Sequence, residues 1–171
     1  MTRKEEAGVA AKKLLGYLRE GITESETVFN ALREELRKGG LTPKDIGTSE
    51  KELKRLQIRY CKIAAKEYLV SLRKGISEYA SYLDLLRFEL ERGGLTLRHI
   101  GTSERELERL RIKGCKLAAK EYLASLRKGN LTPYSRFLDY IHLRRELEEG
   151  GLTPTDIGTS ESELKELKDR K

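Results

Sequence analysis

The chain has 171 residues, a length that suits one domain or one short array of repeated units. Charged and hydrophobic residues each make up 37% of it, so it has enough apolar side chains for a core and lacks the composition of a disordered chain. The formal net charge of +7 permits nucleic acids, ribosomes or anionic membranes as partners. No apolar run reaches the roughly 18 residues of a transmembrane helix, and the first residues lack the apolar segment of a signal peptide. We therefore expect a soluble cytoplasmic protein without a membrane partner.

Thermolabile side chains are scarce. The amides are limited to Asn30, Gln57 and Asn130, and a single Met stands beside 35 Lys and Arg residues. Few amides with abundant Lys, Arg and Glu are typical of thermophile proteins. We therefore expect a hot, archaeal source.

The sequence repeats itself. The stretch from Gly93 to Gly129 nearly copies Gly39 to Gly75, 54 residues earlier, and its opening returns at Gly150 to Leu167 after a shift of 57. The ending of the same stretch is already present at Ala10 to Gly21. We therefore predict an all-α fold, a short array of about three 54-residue αα-hairpin repeats, either an open solenoid or a compact bundle, with a truncated terminal helix. The units are approximately 1–48, 49–102 and 103–159 in a single domain 1–171, with residues 160–171 as a capping helix.

Each unit predicts a long helix, a tight turn, a shorter helix and a one-turn connector. The long helices are Arg3–Glu20, Ser49–Lys74 and Ser103–Lys128; the shorter ones are Glu24–Lys38, Ser77–Arg92 and Pro133–Glu149; the truncated one is Ser160–Lys171. In the first connector Thr42 suits an N-cap, Pro43 the first helical position and Gly47 the end of the turn. The recurring GTSExEL motif predicts capping boxes that pair Ser49 with Glu52, Ser103 with Glu106 and Ser160 with Glu163. This motif is therefore helix-start chemistry and not a catalytic motif.

Two long helices each have a basic face. On a helical wheel the cations of the second long helix fall within about 80° of one another. The third long helix has a cation at every equivalent position. The first basic ridge is Lys51, Arg55, Arg59, Lys62, Lys66 and Arg73, and the second basic ridge is Arg105, Arg109, Lys113, Lys116, Lys120 and Arg127.

A row of cations matches a phosphate backbone, because each Lys or Arg releases a condensed counterion when it binds. The sequence therefore predicts non-catalytic binding of nucleic acid through exposed ridge cations, with RNA or a ribonucleoprotein such as the ribosome preferred over DNA. The alternatives are a solvated face paired with glutamates, or a helical-repeat scaffold for an acidic protein partner. Leu69 and Leu123 fall inside the basic arcs and are either buried or an apolar contact for a partner. Tyr68 and Tyr122 lie on the apolar side, where core packing is expected.

No catalytic, metal or cofactor site is expected. Cys61 and Cys115 occupy equivalent positions without CxxC spacing, which favours small buried side chains over zinc ligands and leaves a disulfide as an alternative. His99 and His142 have no Cys or Ser partner at a recognisable spacing, and no glycine-rich phosphate loop occurs. A helix-turn-helix at the connector before the third long helix is a weaker alternative, because its first helix would be only about one turn long and the spacing before the second is tight.

Overall fold

A computed structural model describes residues 2–21 and 25–169, with all their side chains except those of residues 25 and 26. Over these ranges the chain is helical and contains no strand, which confirms the all-α prediction. The helices are α1 (Arg3–Glu20), α2 (Ser25–Gly39), α3 (Glu50–Lys74), α4 (Tyr79–Gly93), α5 (Leu97–Ile100), α6 (Glu104–Lys128), α7 (Pro133–Gly150) and α8 (Glu161–Asp169), with 3₁₀ turns at Pro43–Ile46 and Pro154–Ile157. None of the described helices is both long and apolar enough to cross a membrane.

The predicted helix boundaries agree with these bounds to within two residues. The predicted helix start at Glu24 and the predicted last residues Arg170 and Lys171 lie outside the described residues. In the first connector Thr42 is the N-cap, Pro43 is the first residue of the turn and Gly47 ends it with a φ of 77°. Each of these roles is the predicted one, because capping and turn formation depend on residues only a few positions apart.

The long-helix starts differ from the prediction in one contact. The Ser49 hydroxyl accepts a hydrogen bond from the backbone N–H of Glu52 at 3.1 Å, as a capping box requires. The predicted return contact is wrong, because the Glu52 carboxylate accepts the hydroxyl of Thr48 at 2.9 Å instead. The same threonine contact recurs one and two repeats later, where Thr102 bonds to Glu106 and Thr159 to Glu163. The glutamate carboxylate of the GTSE motif thus accepts the threonine hydroxyl and not the backbone N–H of the serine, which a capping box would use.

The same glutamates bind an arginine from the end of a preceding long helix. The Arg73 guanidinium lies 2.8 Å from the Glu106 carboxylate and donates to the carbonyl oxygen of Gly101 at 3.3 Å. The equivalent contacts elsewhere join Arg19 to Glu52 and Gly47, and Arg127 to Glu163 and Gly158. We call each set an arginine clamp. Its threefold recurrence indicates a structural role for these arginines.

The paired glycines that end the shorter helices have different functions. A Cβ on Gly93 would lie 2.8 Å from the Cβ of Cys61, a separation that side-chain carbons do not reach. The helices therefore approach each other as closely as they do because this residue is glycine. Gly94 has a φ of 59°, the left-handed conformation of a helix C-terminus. The equivalent close pairs are Gly39 with Ala7 and Gly150 with Cys115.

The described residues divide into two compact units, Met1–Ala64 with Glu89–Thr96, and Ala65–Phe88 with Leu97–Lys171. In the first unit α1 packs on α2, and Leu15 and Leu32 are buried in its core. The Tyr60 hydroxyl donates to the carbonyl oxygen of Leu18 at 2.9 Å in the same core. In the second unit α7 packs on α6 and α8. Helix α8 buries Leu164 there and so covers apolar surface.

Candidate nucleic-acid interface

The side chains of both basic ridges lie on the surface to different degrees. Ten of the twelve are exposed, and the prediction of exposure is wrong for Lys62 and Lys116, which are half-buried. Their long aliphatic stems allow the ammonium groups to reach solvent while the methylenes pack against neighbours. Both ridges therefore present positive charge to solvent, and two of their members also contribute packing.

Most ridge cations have no partner within the described chain. In the first ridge this holds for Lys51, Arg55, Arg59, Lys62 and Lys66, none of which makes a hydrogen bond or ion pair to a described residue. In the second ridge it holds for Arg105, Arg109, Lys116 and Lys120. The predicted alternative of a face neutralised by glutamates along the same helix therefore receives no support from the described contacts.

Three of the glutamates near the ridges are engaged elsewhere. Glu52 and Glu106 bind clamp arginines, and Glu108 binds Arg111 at 2.7 Å. Two weaker electrostatic effects reach the second ridge. The pKa of Asp156 is lowered chiefly by hydrogen bonds from Thr153, with a smaller contribution from Lys116. The pKa of Glu106 is lowered chiefly by Arg73, with a smaller contribution from Arg109. Positive charge on the ridges is thus only slightly offset.

Three predicted ridge residues make structural contacts. Arg73 and Arg127 belong to arginine clamps, although about 45% of each side chain is exposed. Lys113 donates from its Nζ to the backbone carbonyl oxygen of Arg73 at 3.0 Å. Leu69 and Leu123 are buried, which decides between the two alternatives that the sequence left open. Because a buried leucine separates Lys66 from Arg73, the continuous part of the first ridge ends at Lys66.

The second ridge has the dimensions of a short backbone tract. From Arg105 to Lys120 it runs along α6 for roughly 22 Å at about 1.5 Å per residue. One strand of duplex DNA carries a phosphate about every 3.4 Å along the axis, so such a length spans roughly six phosphates. Five cations over that distance are a suitable number for backbone neutralisation. All five lie within the second unit.

Of the residues assigned to the core, the cysteines are buried, and Tyr68 and Tyr122 are half-buried against other rings. Tyr68 packs edge-on against Tyr82 with ring centroids 5.8 Å apart, and Tyr122 packs against His142 at 5.3 Å. Both cysteines are free and buried, which confirms the favoured prediction over a disulfide. Burial raises the pKa of the Cys61 thiol and of the Cys115 thiol. Because Tyr68 and Tyr122 pack against other rings, these two tyrosines are poorly placed to stack on bases.

Sequence reasoning missed one group of side chains in the second unit. Tyr79, Cys115, Glu146 and Glu149 converge there, and we call them the Cys115 cluster. Potential ligand atoms of the cysteine and the two glutamates all lie within 4.8 Å of one another. A signal was present, because the residue before the paired glycines is Lys38 or Arg92 in the earlier repeats and becomes Glu149 here.

Comparison with known proteins adds no parallel. No protein-family model matches the chain. No curated protein is recognisably similar to it. No solved structure matches it either, so the function is inferred from the surface of the chain itself.

Proposed function

We propose that this protein is a non-catalytic nucleic-acid-binding protein that recognises the phosphate backbone through its two basic ridges. In this proposal the chain is an array of about three αα-hairpin repeats whose long helices present the cations. One observation carries the proposal. Nine ridge cations have no carboxylate or hydrogen-bond partner among the described residues, and three nearby glutamates, Glu52, Glu106 and Glu108, bind arginines outside the continuous ridges.

Unpaired cations favour an anionic ligand for an electrostatic reason. A cation that already has a carboxylate partner must lose it before it can bind phosphate, whereas a solvated cation only releases water and counterions. The tyrosines of the long helices pack internally, so base stacking has little support. Duplex RNA is recognised mostly through its shape and its backbone. RNA, including the RNA of a ribosome, is therefore the preferred ligand over DNA.

Salt dependence tests the proposal. The full chain is titrated into a fluorescently labelled RNA hairpin, and into a DNA duplex of the same length, while anisotropy is followed over a series of potassium chloride concentrations. The variant Arg105→Gln, Arg109→Gln, Lys120→Gln removes three exposed cations of the second ridge. The slope of log K against log salt should become shallower by about 2–3, since each lost phosphate contact contributes about 0.7–0.9.

A matched control separates the ridge from net charge. The variant Lys44→Gln, Arg87→Gln, Arg98→Gln removes the same charge from exposed positions outside both ridges. It should keep a slope close to that of the parent chain. Equal losses in both triple variants would mean diffuse attraction to a basic protein. An unchanged slope in the ridge variant, with its helical circular dichroism intact, would reject the ridge as the binding surface.

A second candidate function is a protein-interaction scaffold, and an apolar stripe on α7 favours it. Tyr134, Phe137 and Ile141 are 72%, 49% and 42% exposed and share one face of the helix. Large apolar side chains grouped on a surface commonly mark protein contacts. In affinity purification, substituting Ser at all three positions should abolish a protein complex that survives high salt. An acidic protein on the ridges would instead compete with RNA.

A further inference from the structure

We propose that the Cys115 cluster is a binding site for a divalent transition metal, with Zn²⁺ as the best match. The thiol of Cys115 and the carboxylates of Glu146 and Glu149 are the ligands, and the phenol oxygen of Tyr79 completes the set. This inference is independent of nucleic-acid binding, because none of the four side chains belongs to a basic ridge.

The charge at one position of the repeats differs in the third repeat. The shorter helices end on the pattern Glu-Leu-X-cation-Gly-Gly in the first two repeats. There Lys38 pairs with Glu35 at 2.9 Å, and Arg92 pairs with Glu89 at 3.1 Å. In the third repeat Glu149 replaces the cation. The conserved glutamate, Glu146, thus faces a second carboxylate where its counterparts face a positive charge.

The equivalent cysteine of the first unit, Cys61, already contacts a cationic group. In the first unit the Arg92 guanidinium donates to the Cys61 sulfur at 3.4 Å while it pairs with Glu89. A cysteine and a glutamate therefore hold a positive charge in one repeat by means of the chain's own arginine. The Arg92 guanidinium stands in for the cation that the Cys115 cluster would take from solution.

The geometry of the Cys115 cluster suits a small cation. The Tyr79 oxygen lies 3.0 Å from the Cys115 sulfur, 3.2 Å from a Glu146 oxygen and 3.0 Å from a Glu149 oxygen. Tetrahedral zinc with bonds of about 2.0 Å to oxygen and 2.3 Å to sulfur separates such ligands by roughly 3.3–3.5 Å. The Tyr79 oxygen would therefore move a few tenths of an ångström away from its three neighbours, and the sulfur and carboxylate oxygens, which lie within 4.8 Å of one another, would adopt the same spacing around the ion.

Hydrogen bonds within the chain leave the cluster under-neutralised. The single phenol proton of Tyr79 lies within reach of both carboxylates and can satisfy only one of them. Arg145 approaches Glu146 at 3.4 Å and Glu149 at 3.7 Å, but its side chain is 55% exposed, so solvent screens it. The Arg111 guanidinium binds Glu108 and the backbone carbonyl of Glu149. A divalent ion would offset two carboxylates of which one, Glu146, is only 6% exposed.

The donor set selects the metal. A thiolate excludes magnesium and calcium, which prefer oxygen ligands, and one sulfur with carboxylate oxygens suits zinc, with cobalt as its spectroscopic substitute. Binding would displace the thiol proton, since the thiolate is the ligand. Glu149 is the exposed member of the cluster, so an ion from solution would reach the cluster on that side.

Cobalt titration tests the site. The full chain, reduced and dialysed against a chelator, is titrated with Co²⁺. A complex of one ion per chain, with a sulfur-to-cobalt charge-transfer band that Zn²⁺ displaces, is expected. The band should disappear in Cys115→Ala and persist in Cys61→Ala, which removes the equivalent thiol. No band at millimolar Co²⁺, or an equal band in Cys115→Ala, would overturn the proposal.

A second pair of variants keeps the test decisive if Cys115→Ala does not fold. Glu149→Arg copies the residue found at the equivalent position of the second repeat. It should weaken Co²⁺ binding about a hundredfold or more, because it replaces a ligand with a fixed cation. The exposed neighbour Glu148 provides the control, since Glu148→Arg makes the same charge change outside the cluster. Equal Co²⁺ affinities in the two variants would also overturn the site.

Discussion

Gly114 offers a quantitative test of the packing that forms the Cys115 cluster. It lies within α6, and a Cβ there would overlap the Cβ and Cγ of Tyr79. These atoms lie at the root of a side chain that is only 4% exposed, so the ring cannot swing aside cheaply. Gly114 therefore allows Tyr79 to place its hydroxyl beside Cys115. Gly16 in α1 is the matched control, because a Cβ there would meet nothing within 4 Å.

Substituting alanine at these two glycines should change the stability of the protein in opposite directions. Gly16→Ala should stabilise the protein by about 0.5–1 kcal/mol, the helix-propensity gain of alanine over glycine. Gly114→Ala gains the same amount but incurs an overpacking cost of about 3 kcal/mol, the upper end of the usual range. The net loss is about 2 kcal/mol, or a Tm lowered by about 4–8 °C at this chain length, against a rise of about 1–4 °C for Gly16→Ala.

Thermal unfolding followed by circular dichroism, together with urea titration, measures both changes. A double-mutant cycle adds the mechanism, because in a Tyr79→Ala background Gly114→Ala should no longer destabilise. If Gly114→Ala raised Tm as much as Gly16→Ala does, then the Tyr79 ring would not lie over α6. The described geometry of the Cys115 cluster would then be wrong as well.

Three further predictions concern the helix ends. Arg73→Gln should lower the free energy of unfolding by roughly 0.5–1 kcal/mol at low salt and by less at high salt, because the ion pair to Glu106 is partly exposed. Urea titration at two salt concentrations measures this difference. Arg73 lowers the pKa of Glu106 below 4.5, so the stability from this pair is present above that value and is lost as pH falls through the lower folded pKa. Arg73→Gln should therefore flatten the acid limb of Tm against pH, and an unchanged limb would contradict the clamp. Tyr60→Phe should lower the free energy of unfolding by about 1 kcal/mol, because it removes the buried hydrogen bond to Leu18. The hydroxyl of Tyr82 has no described partner, so Tyr82→Phe should leave the free energy of unfolding almost unchanged.

The sequence predicted the helices and their ends because those features depend on residues close together in the chain. Thr42 caps the turn that Gly47 ends, and their interactions span a few positions. Paired glycines mark the ends of the shorter helices for the same reason. The all-α class and the helix boundaries followed from such local rules. The exposure of most ridge cations followed from helical periodicity, which separates apolar from charged positions.

Tertiary structure decided which ridge cations are available. Arg73 and Arg127 share the wheel positions of the other cations, yet their partners Glu106 and Glu163 come 33 and 36 residues later. No helical wheel contains that information, because it follows from where the next long helix begins. Leu69 belongs to the same basic arc and became buried because a neighbouring element covers it.

The Cys115 cluster depends on tertiary structure in the same way. Its side chains come from α4, α6 and α7, and Tyr79 lies 67 residues from Glu146 in the chain. The sequence by itself determined that a carboxylate replaces a cation before the third pair of glycines. Only the packed helices, through the close approach at Gly114 and Gly150, bring that carboxylate to a thiol and a phenol. Contacts between distant residues form only when the packing of the folded chain offsets the conformational entropy that folding removes, so local sequence patterns cannot specify them.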